Sequence, residues 1–390
     1  MKVLIIHTYY KLRGGEDSVV ENEMELLRSN GIDVELLSFS NDGNTLSKLI
    51  KMPFNYGSYQ KTKAKIKSFK PDLIHIHNLH FSGSAAVIYA ARNTKVPVVM
   101  TLHNYRLICP SGSLYHHNKL FLSSIASGFP WKAVKEGVYQ NSSLITFWVA
   151  LSMYIHEQSG TWNSVDRFIV LGEHSKDLFS YSRLSAHADR MVVKPNFCYP
   201  SPNSTAVTND SFYLYVGRLT EEKGVPVLLD AFAKSKLPLI MVGTGPLEKL
   251  VTEFTSRHPN ISFLGEQKKE KVFKLLDKAA ALIFPSVWYE TFGMVIIEAF
   301  SKGIPVITSD LGNMKNLVTH QFNGLTFKAG NSNDLIAKVD YYQALVIEDK
   351  QNYSRNAKST YMKNYAPERN LEQLLKIYHS AINRRSYHPL

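Results

Sequence analysis

Short apolar runs, rich in branched residues, alternate along the chain with stretches whose apolar positions recur every three or four residues. Val3–Ile6, Val34–Ser38, Leu73–Ile76, Val96–Thr101 and Arg167–Leu171 read as strands, with helical segments such as Ser18–Asn30 and Ser84–Arg92 between them. A second series has strands at Tyr213–Val216, Leu239–Val242, Ile261–Leu264, Ala281–Phe284, Val306–Thr308 and Leu325–Phe327. Strand–helix alternation on this scale predicts an α/β fold with two doubly wound parallel sheets, each covered by helices on both faces. The polar, turn-rich segment from Pro200 to Asp210 is the best linker, placing one domain over residues 1–200 and another from 201 onward. No solenoid-period repeat or low-complexity tract interrupts the pattern.

In such folds ligands bind at the carboxyl ends of strands, and the unusual residues cluster there. The strand ending at Phe284 leads to Glu290-Thr-Phe-Gly-Met-Val-Ile-Ile-Glu298, and helical spacing runs from Met294 to Lys302. Gly293 then sits at a helix N-terminus, whose free N–H groups and dipole favour an anion. Glu298 lies about one turn further in. Carboxylates beside an anion site suit hydroxyl groups, so the stretch fits a ligand with both phosphate and sugar. After Val216 comes Gly217-Arg218-Leu-Thr-Glu-Glu-Lys223-Gly224, in which Arg218 can grip phosphate bidentately and Lys223 adds a point charge. Gly14 and Gly15 follow the first strand in Arg13-Gly-Gly-Glu-Asp17 and permit close backbone approach to a phosphate or a plain tight turn. Gly243-Thr-Gly-Pro246 does not complete the dinucleotide fingerprint.

Composition narrows the field. At 390 residues with 44% hydrophobic content, the chain can build two sizeable cores, and no apolar run approaches the roughly 18–20 residues of a membrane span. Met1–His7 reads as a first strand rather than a signal segment. Leu144–Ile155 reads as a buried or interfacial helix. Two cysteines, Cys109 and Cys198, offer no disulfide framework and suggest a reducing cytosol. The net charge of +12 implies a polyanionic neighbour. Lys48, Lys51, Lys61, Lys63, Lys65, Lys67 and Lys70 form an acid-free stretch interleaved with Phe54, Tyr56, Tyr59, Ile66 and Phe69. It suits either an anionic bilayer or a solvated helix face. No helix-turn-helix, zinc-finger or RNA-recognition signature accompanies the charge, so nucleic acid is not expected.

Taken together, the motifs resemble the retaining glycosyltransferases of family 4, which have the GT-B fold. The resemblance rests on the Gly14–Gly15 loop, Val216 to Gly224, Val242-Gly-Thr-Gly-Pro246, Phe263-Leu-Gly265, Glu290 to Glu298, Gly303-Ile-Pro-Val-Ile307 and Asn323-Gly324. It extends to a last helix near Leu371–Ile382 and covers nearly the whole chain. It implies two Rossmann-like domains facing across a cleft, a nucleotide-sugar domain over 201–366, and residues 367–390 crossing back to an acceptor-binding N-terminal domain. Arg218 and Lys223 would neutralise the diphosphate of a UDP- or GDP-type sugar. Glu298 would take the ribose hydroxyls, and Glu290 the hydroxyls of the transferred sugar. Backbone at Phe292, Gly293, Met294 and Val295 would meet sugar and phosphate, with Gly217 and Gly243 in the strand-end turns. Leu264 and Gln267 would border the base, Gly14 and Gly15 would approach the diphosphate, and His103 would lie beside the sugar.

No cofactor and no metal are expected, because the chain lacks an Asp-x-Asp pair and its cations can replace the ion. His75, His77 and His80 read as a strand-end loop, with no cysteine or carboxylate nearby in sequence to complete a ligand set. The Cys-x-x-Cys pair frequent in similar sequences is absent from Leu120–Gly128, which leaves the local acceptor loop open. The resemblance implies transfer to a saccharide acceptor, either soluble or carried on polyprenyl diphosphate at the cytosolic face of the membrane, during bacterial surface polysaccharide synthesis. A nucleotide-sugar epimerase of the same fold and a non-catalytic assembly subunit are the rival readings.

Overall fold

The structure is a computed structural model that describes residues 1–10, 14–41, 44–125, 128–200 and 212–387. Two compact units divide the chain: residues 1–116, 121–196 and 367–390 form one, and residues 117–120 and 197–366 the other. Most of the expected linker, residues 201–210, lies outside the described residues, as does Arg13.

The first unit runs β1 (Lys2–Tyr9), α1 (Gly15–Ser29), β2 (Asp33–Ser40), α2 (Thr45–Lys51), α3 (Tyr56–Phe69), β3 (Leu73–Ile76), α4 (Ala86–Arg92) and β4 (Val98–Leu102). Two short strands follow, β5 (Tyr115–His116) and β6 (Lys119–Leu120), of which β6 groups with the second unit. Then come α5 (Trp131–Glu136), α6 (Ser143–Gln158), β7 (Arg167–Val170), α7 (Glu173–Ser180) and β8 (Met191–Val193). The sheet is parallel in the order β2-β1-β3-β4-β7-β8. Its central strands β3 and β4 are buried throughout, as strands covered on both faces must be. Strand β8 has no counterpart in the sequence reading, because three residues give too little pattern to register.

The second unit contains β9 (Tyr213–Val216), α8 (Val225–Lys234), β10 (Leu239–Val242), α9 (Glu248–Thr255), β11 (Ile261–Phe263), α10 (Lys269–Leu276) and β12 (Ala281–Phe284). It continues with α11 (Met294–Ser301), β13 (Val306–Ser309), α12 (Met314–Leu317), β14 (Gly324–Phe327), α13 (Ser332–Ala344) and α14 (Ile347–Asn364). Its parallel sheet has the order β11-β10-β9-β12-β13-β14. The core on one side joins Tyr213, Tyr215, Leu228, Phe232, Ile283 and Val339, all buried. The final helix, α15 (Pro367–Tyr387), belongs to the first unit, where Leu374, Ile377, Tyr378 and Ala381 pack with Val3, Ile5, Val99 and Ile169.

Strand order decides where each unit can hold a ligand. A doubly wound sheet opens a crevice where successive connections leave toward opposite edges. That point lies between β1 and β3 in the first unit and between β9 and β12 in the second. Two such Rossmann-like units make the GT-B fold.

Candidate active site

The loops at the second unit's switch point carry the charged residues. Val216 ends β9, and the chain turns through Gly217 and Arg218 to Gly224, which opens α8 with φ of 72°. A Cβ on Gly224 would lie 1.9 Å from the Pro285 carbonyl oxygen, so only glycine lets this turn lie against the segment after β12. Gly243 is equally constrained at φ 146°, where a Cβ would meet Gly217 O at 1.8 Å. Gly217 N–H donates to Val242 O at 3.0 Å and Gly243 N–H to Gly265 O at 2.9 Å, holding the ends of β9, β10 and β11 together. Both glycines therefore shape the floor of the site through sterics.

This close approach brings Lys223 to Glu290 across 67 residues of sequence: Nζ lies 2.6 Å from Oε1. Glu290 is only 4% exposed, and its Oε1 also accepts from the Ser286 hydroxyl at 2.6 Å. The Lys223 ammonium sits 5.5 Å from the Phe284 and Trp288 ring centres, a cation–π arrangement that limits its freedom. Asn313 donates from Nδ2 to the carbonyls of Glu290 and Thr291, fixing the loop. Arg218 differs: its side chain is 64% exposed and its guanidinium approaches Glu222 at 3.6 Å. Sequence reasoning placed both cations in one loop but missed Ser286, Trp288 and Asn313, which have no distinguishing local pattern.

Phe292 is buried against Tyr365, and Gly293 caps α11 with no side-chain hydrogen bond. Met294 and Val295 form the first turn, whose N–H groups are the kind anions bind. Glu298 lies on α11, with Lys269 Nζ 3.8 Å from its Oε1. Burial raises its pKa against the lowering effect of Lys269. Leu264 is 38% exposed just beyond β11, and Gln267 folds its amide back onto the Leu264 carbonyl.

In the first unit, the loop after β1 reaches Gly14 at the N-cap of α1. Asp17 Oδ2 already accepts the Gly14 N–H at 2.9 Å, while Oδ1 lies 2.8 Å from His7 Nε2. The first turn also contains Glu16, whose pKa burial and the Asp17 charge push up to about 8, against the pull of Arg106. The start of this helix thus brings its own acidic groups to the Gly14–Gly15 turn. Asp17 was legible in principle, standing three residues after a helix cap.

His103 follows β4, and its Nε2 lies 3.0 Å from His77 Nδ1, the rings stacked at 5.3 Å. Burial, then the neighbouring imidazoles of His77 and His7, hold the His103 pKa well below its ordinary range. Burial and His75 bring His77 down to about 4. At neutral pH both rings are therefore uncharged.

The histidine reading needs correction. His75 is the third residue of β3 rather than part of a loop, and a carboxylate does join it. Glu23, from α1, places Oε1 2.9 Å from His75 Nδ1 and 3.1 Å from His77 Nε2. These three buried donors come within 4.8 Å of one another, a spacing that could hold a metal ion. Lys194 Nζ lies 3.3 Å from Glu23 Oε2, and Tyr378 and Thr101 hydroxyls lie 2.8 Å from the two His75 nitrogens. A second buried cation beside Lys194 would add uncompensated charge, so the set fits a polar tie between α1, β3 and α15 better than an ion site. His80 stands apart, with Nε2 3.2 Å from the Tyr139 hydroxyl. Glu23 escaped notice because it is 52 residues from His75 in sequence.

The lysine stretch is also less uniform than its composition suggested. Lys65 is ion-paired with Glu35, and Ile66 and Phe69 are buried on the inner face of α3. The helix predicted at Leu144–Ile155 is α6, which buries Thr146, Val149, Ala150, Ser152 and His156 but leaves Leu144 84% and Ile155 48% exposed, so it is buried on one side only. Cys109 and Cys198 are buried free thiols.

Cations and a carboxylate gather at the second unit's switch point, an arrangement that suits an anionic ligand bearing hydroxyl groups. Residues 13–197 match the Glycosyltransferase Family 4 description, and residues 201–360 match Glycosyl transferases group 1. The chain belongs to this family of GT-B glycosyltransferases. It is 27% identical to an uncharacterized glycosyltransferase of Methanocaldococcus jannaschii, over 87% of each chain. It is 25% identical to the O-antigen chain mannosyltransferase C of Escherichia coli, over 45% of this chain and 48% of that one. The crystal structure of Anabaena Alr3699/HepE in complex with UDP is 18% identical, covering 97% of this chain and 100% of that one at a TM-score of 0.68. At that identity the likeness is one of fold.

Proposed function

We propose that this glycosyltransferase transfers a sugar, with retention of anomeric configuration, from a UDP- or GDP-type nucleotide sugar to a saccharide carried on polyprenyl diphosphate. The reaction would serve bacterial surface polysaccharide synthesis at the inner face of the cell membrane. The observation that carries the reading is the convergence of Arg218, Lys223 and Glu290 at the β9–β12 switch point. Arg218 is exposed and available to a diphosphate, and Lys223 can share its ammonium between Glu290 and a phosphate oxygen. Charge that builds on the leaving diphosphate is then stabilised by fixed cations, without a metal ion.

The α11 N-terminus at Gly293 offers N–H groups to phosphate or sugar, and Glu298 a carboxylate to the ribose hydroxyls. His103, kept neutral, can hydrogen-bond the sugar without placing positive charge beside an anomeric carbon that itself becomes positive. Retention follows if the acceptor attacks from the leaving-group side and a diphosphate oxygen takes its proton, so no side-chain base is needed in line. The O-antigen mannosyltransferase relative supports a polysaccharide setting, and the UDP complex of the structural neighbour supports a nucleotide-sugar donor.

The test is a panel of UDP- and GDP-sugars with a short soluble saccharide acceptor, assayed in excess EDTA, with the product linkage read by NMR. Transfer with EDTA present and an unchanged anomeric configuration is expected. Loss of activity restored by magnesium, or an inverted linkage, refutes the mechanism.

A further inference from the structure

Helix α6 presents a different environment on each side. Val149, Ser152, Met153 and His156 line a cavity of about 110 Å³ in the first unit, shared with Phe81 and Trp162. On one flank, Phe147 and Tyr154 pack against Phe129, with ring centres 5.8 and 5.6 Å apart, and Phe147 stacks on Trp131 at 6.2 Å. On the other, Trp148 Nε1 donates to the Leu49 carbonyl of α2 at 2.7 Å. The stripe beside the aromatic flank runs at helical spacing through Leu144, Trp148, Leu151 and Ile155, with Trp148 at its α2 edge.

Among the described residues, most of this stripe is left uncovered. Leu144 is 84% exposed, Ile155 48% and Trp148 37%, while neighbouring Trp131 and Ile50 are each 65% exposed. An apolar patch with tryptophans at its margin marks an interaction surface. Its charges are one-sided: Lys48 and Lys51 lie on α2 and Lys132 and Lys135 on α5, against Glu136 alone on those two helices. Within α6 the first charged residue after the stripe begins is Glu157, which pairs with Arg183 at 3.4 Å.

We propose that this face docks onto an anionic bilayer. The apolar stripe of α6 would lie in the plane of the interface, with the tryptophans at headgroup depth and the lysines against lipid phosphates. A second copy of the chain fits poorly, because a self-complementary contact would set lysines against lysines. The helix is too short and too weakly apolar to span; no described helix can. Because its opposite face lines the cavity, α6 would place that cavity next to the bilayer surface, where a lipid-borne saccharide is presented. The inference rests on the proposed lipid-linked acceptor. It assigns docking to the α2–α5–α6 face rather than to the lysines of α3.

Co-sedimentation with vesicles of equimolar phosphatidylcholine and phosphatidylglycerol, and of phosphatidylcholine alone, tests it. Leu144→Glu/Ile155→Glu should weaken binding to the mixed vesicles by tenfold or more. Lys51→Glu/Lys132→Glu should remove the dependence on phosphatidylglycerol. Lys61→Glu/Lys63→Glu/Lys67→Glu on α3 should change affinity less than threefold, and wild-type tryptophan emission should shift to the blue with vesicles. All four substituted sites on the face are at the surface, and far-ultraviolet circular dichroism checks that each variant folds. Transfer to a soluble acceptor should be the same in every variant; its absence in the wild type would count against the enzymatic reading and leave the vesicle result standing. Vesicle affinity unchanged in Leu144→Glu/Ile155→Glu, or an equal loss in the α3 variant, overturns the proposal. So does a wild-type dimer that ignores vesicles and is dissolved by the same two glutamates.

Discussion

Replacing Lys223 with methionine keeps most of the side chain's packing and removes its charge. Glu290 would then be a carboxylate only 4% exposed, retaining the Ser286 hydroxyl but losing the ammonium at 2.6 Å. The Lys223 side chain is itself only 18% exposed, so water screens the pair weakly. Removing one partner of a buried pair costs about 3–5 kcal/mol, chiefly because the other charge stays buried and uncompensated. For a unit of this size the melting temperature should fall by on the order of 10 °C. Glu290→Gln in the Lys223→Met background should recover much of the loss, since it removes the stranded charge. The assay is urea unfolding of all four members of the double-mutant cycle, with hydrogen exchange to locate the loosened segment at β12 and the loop after it. A Lys223→Met variant within about 1 kcal/mol of wild type, or a coupling energy below about 0.5 kcal/mol, refutes the reasoning. The sequence alone suggests no such cost, since a lysine in a loop is ordinarily exposed.

Arg218→Ala should behave oppositely: with a side chain 64% exposed, its stability should stay within about 0.5 kcal/mol of wild type. Turnover with the nucleotide sugar should nonetheless fall about 10²-fold. Steady-state kinetics equal to wild type would remove Arg218 from the donor site. Glu16 gives a pH signature: its pKa rises from an ordinary 4.5 to about 8, so its contribution is fully present below 4.5 and is lost as pH rises toward 8. Glu16→Gln should therefore gain stability relative to wild type across that window, by at most about 5 kcal/mol at 1.36 kcal/mol per pH unit. Urea midpoints at both ends of the window measure this, and a difference that stays constant with pH contradicts it.

Local pattern determined much of this protein. Apolar runs bounded by glycine and polar turns placed both series of strands, because a strand buried on both faces must be apolar throughout. The places of Arg218, Lys223 and Gly293, just after a strand or at a helix start, were legible from the same pattern. Strand order was not legible, since adjacency in a parallel sheet is set by long-range packing; only that order makes β9 and β12 neighbours and brings Lys223 to Glu290. The same holds for Glu23, His75 and Tyr378, which three separate elements deliver to one buried point. Burial was the other decision of the tertiary structure. The lysine count suggested Lys48–Lys70 as one charged stretch; packing ties Lys65 to Glu35 and turns Ile66 and Phe69 inward, with Lys61, Lys63 and Lys67 still exposed. It left the apolar stripe of α6 facing out, because a helix can bury only the faces that its neighbours cover.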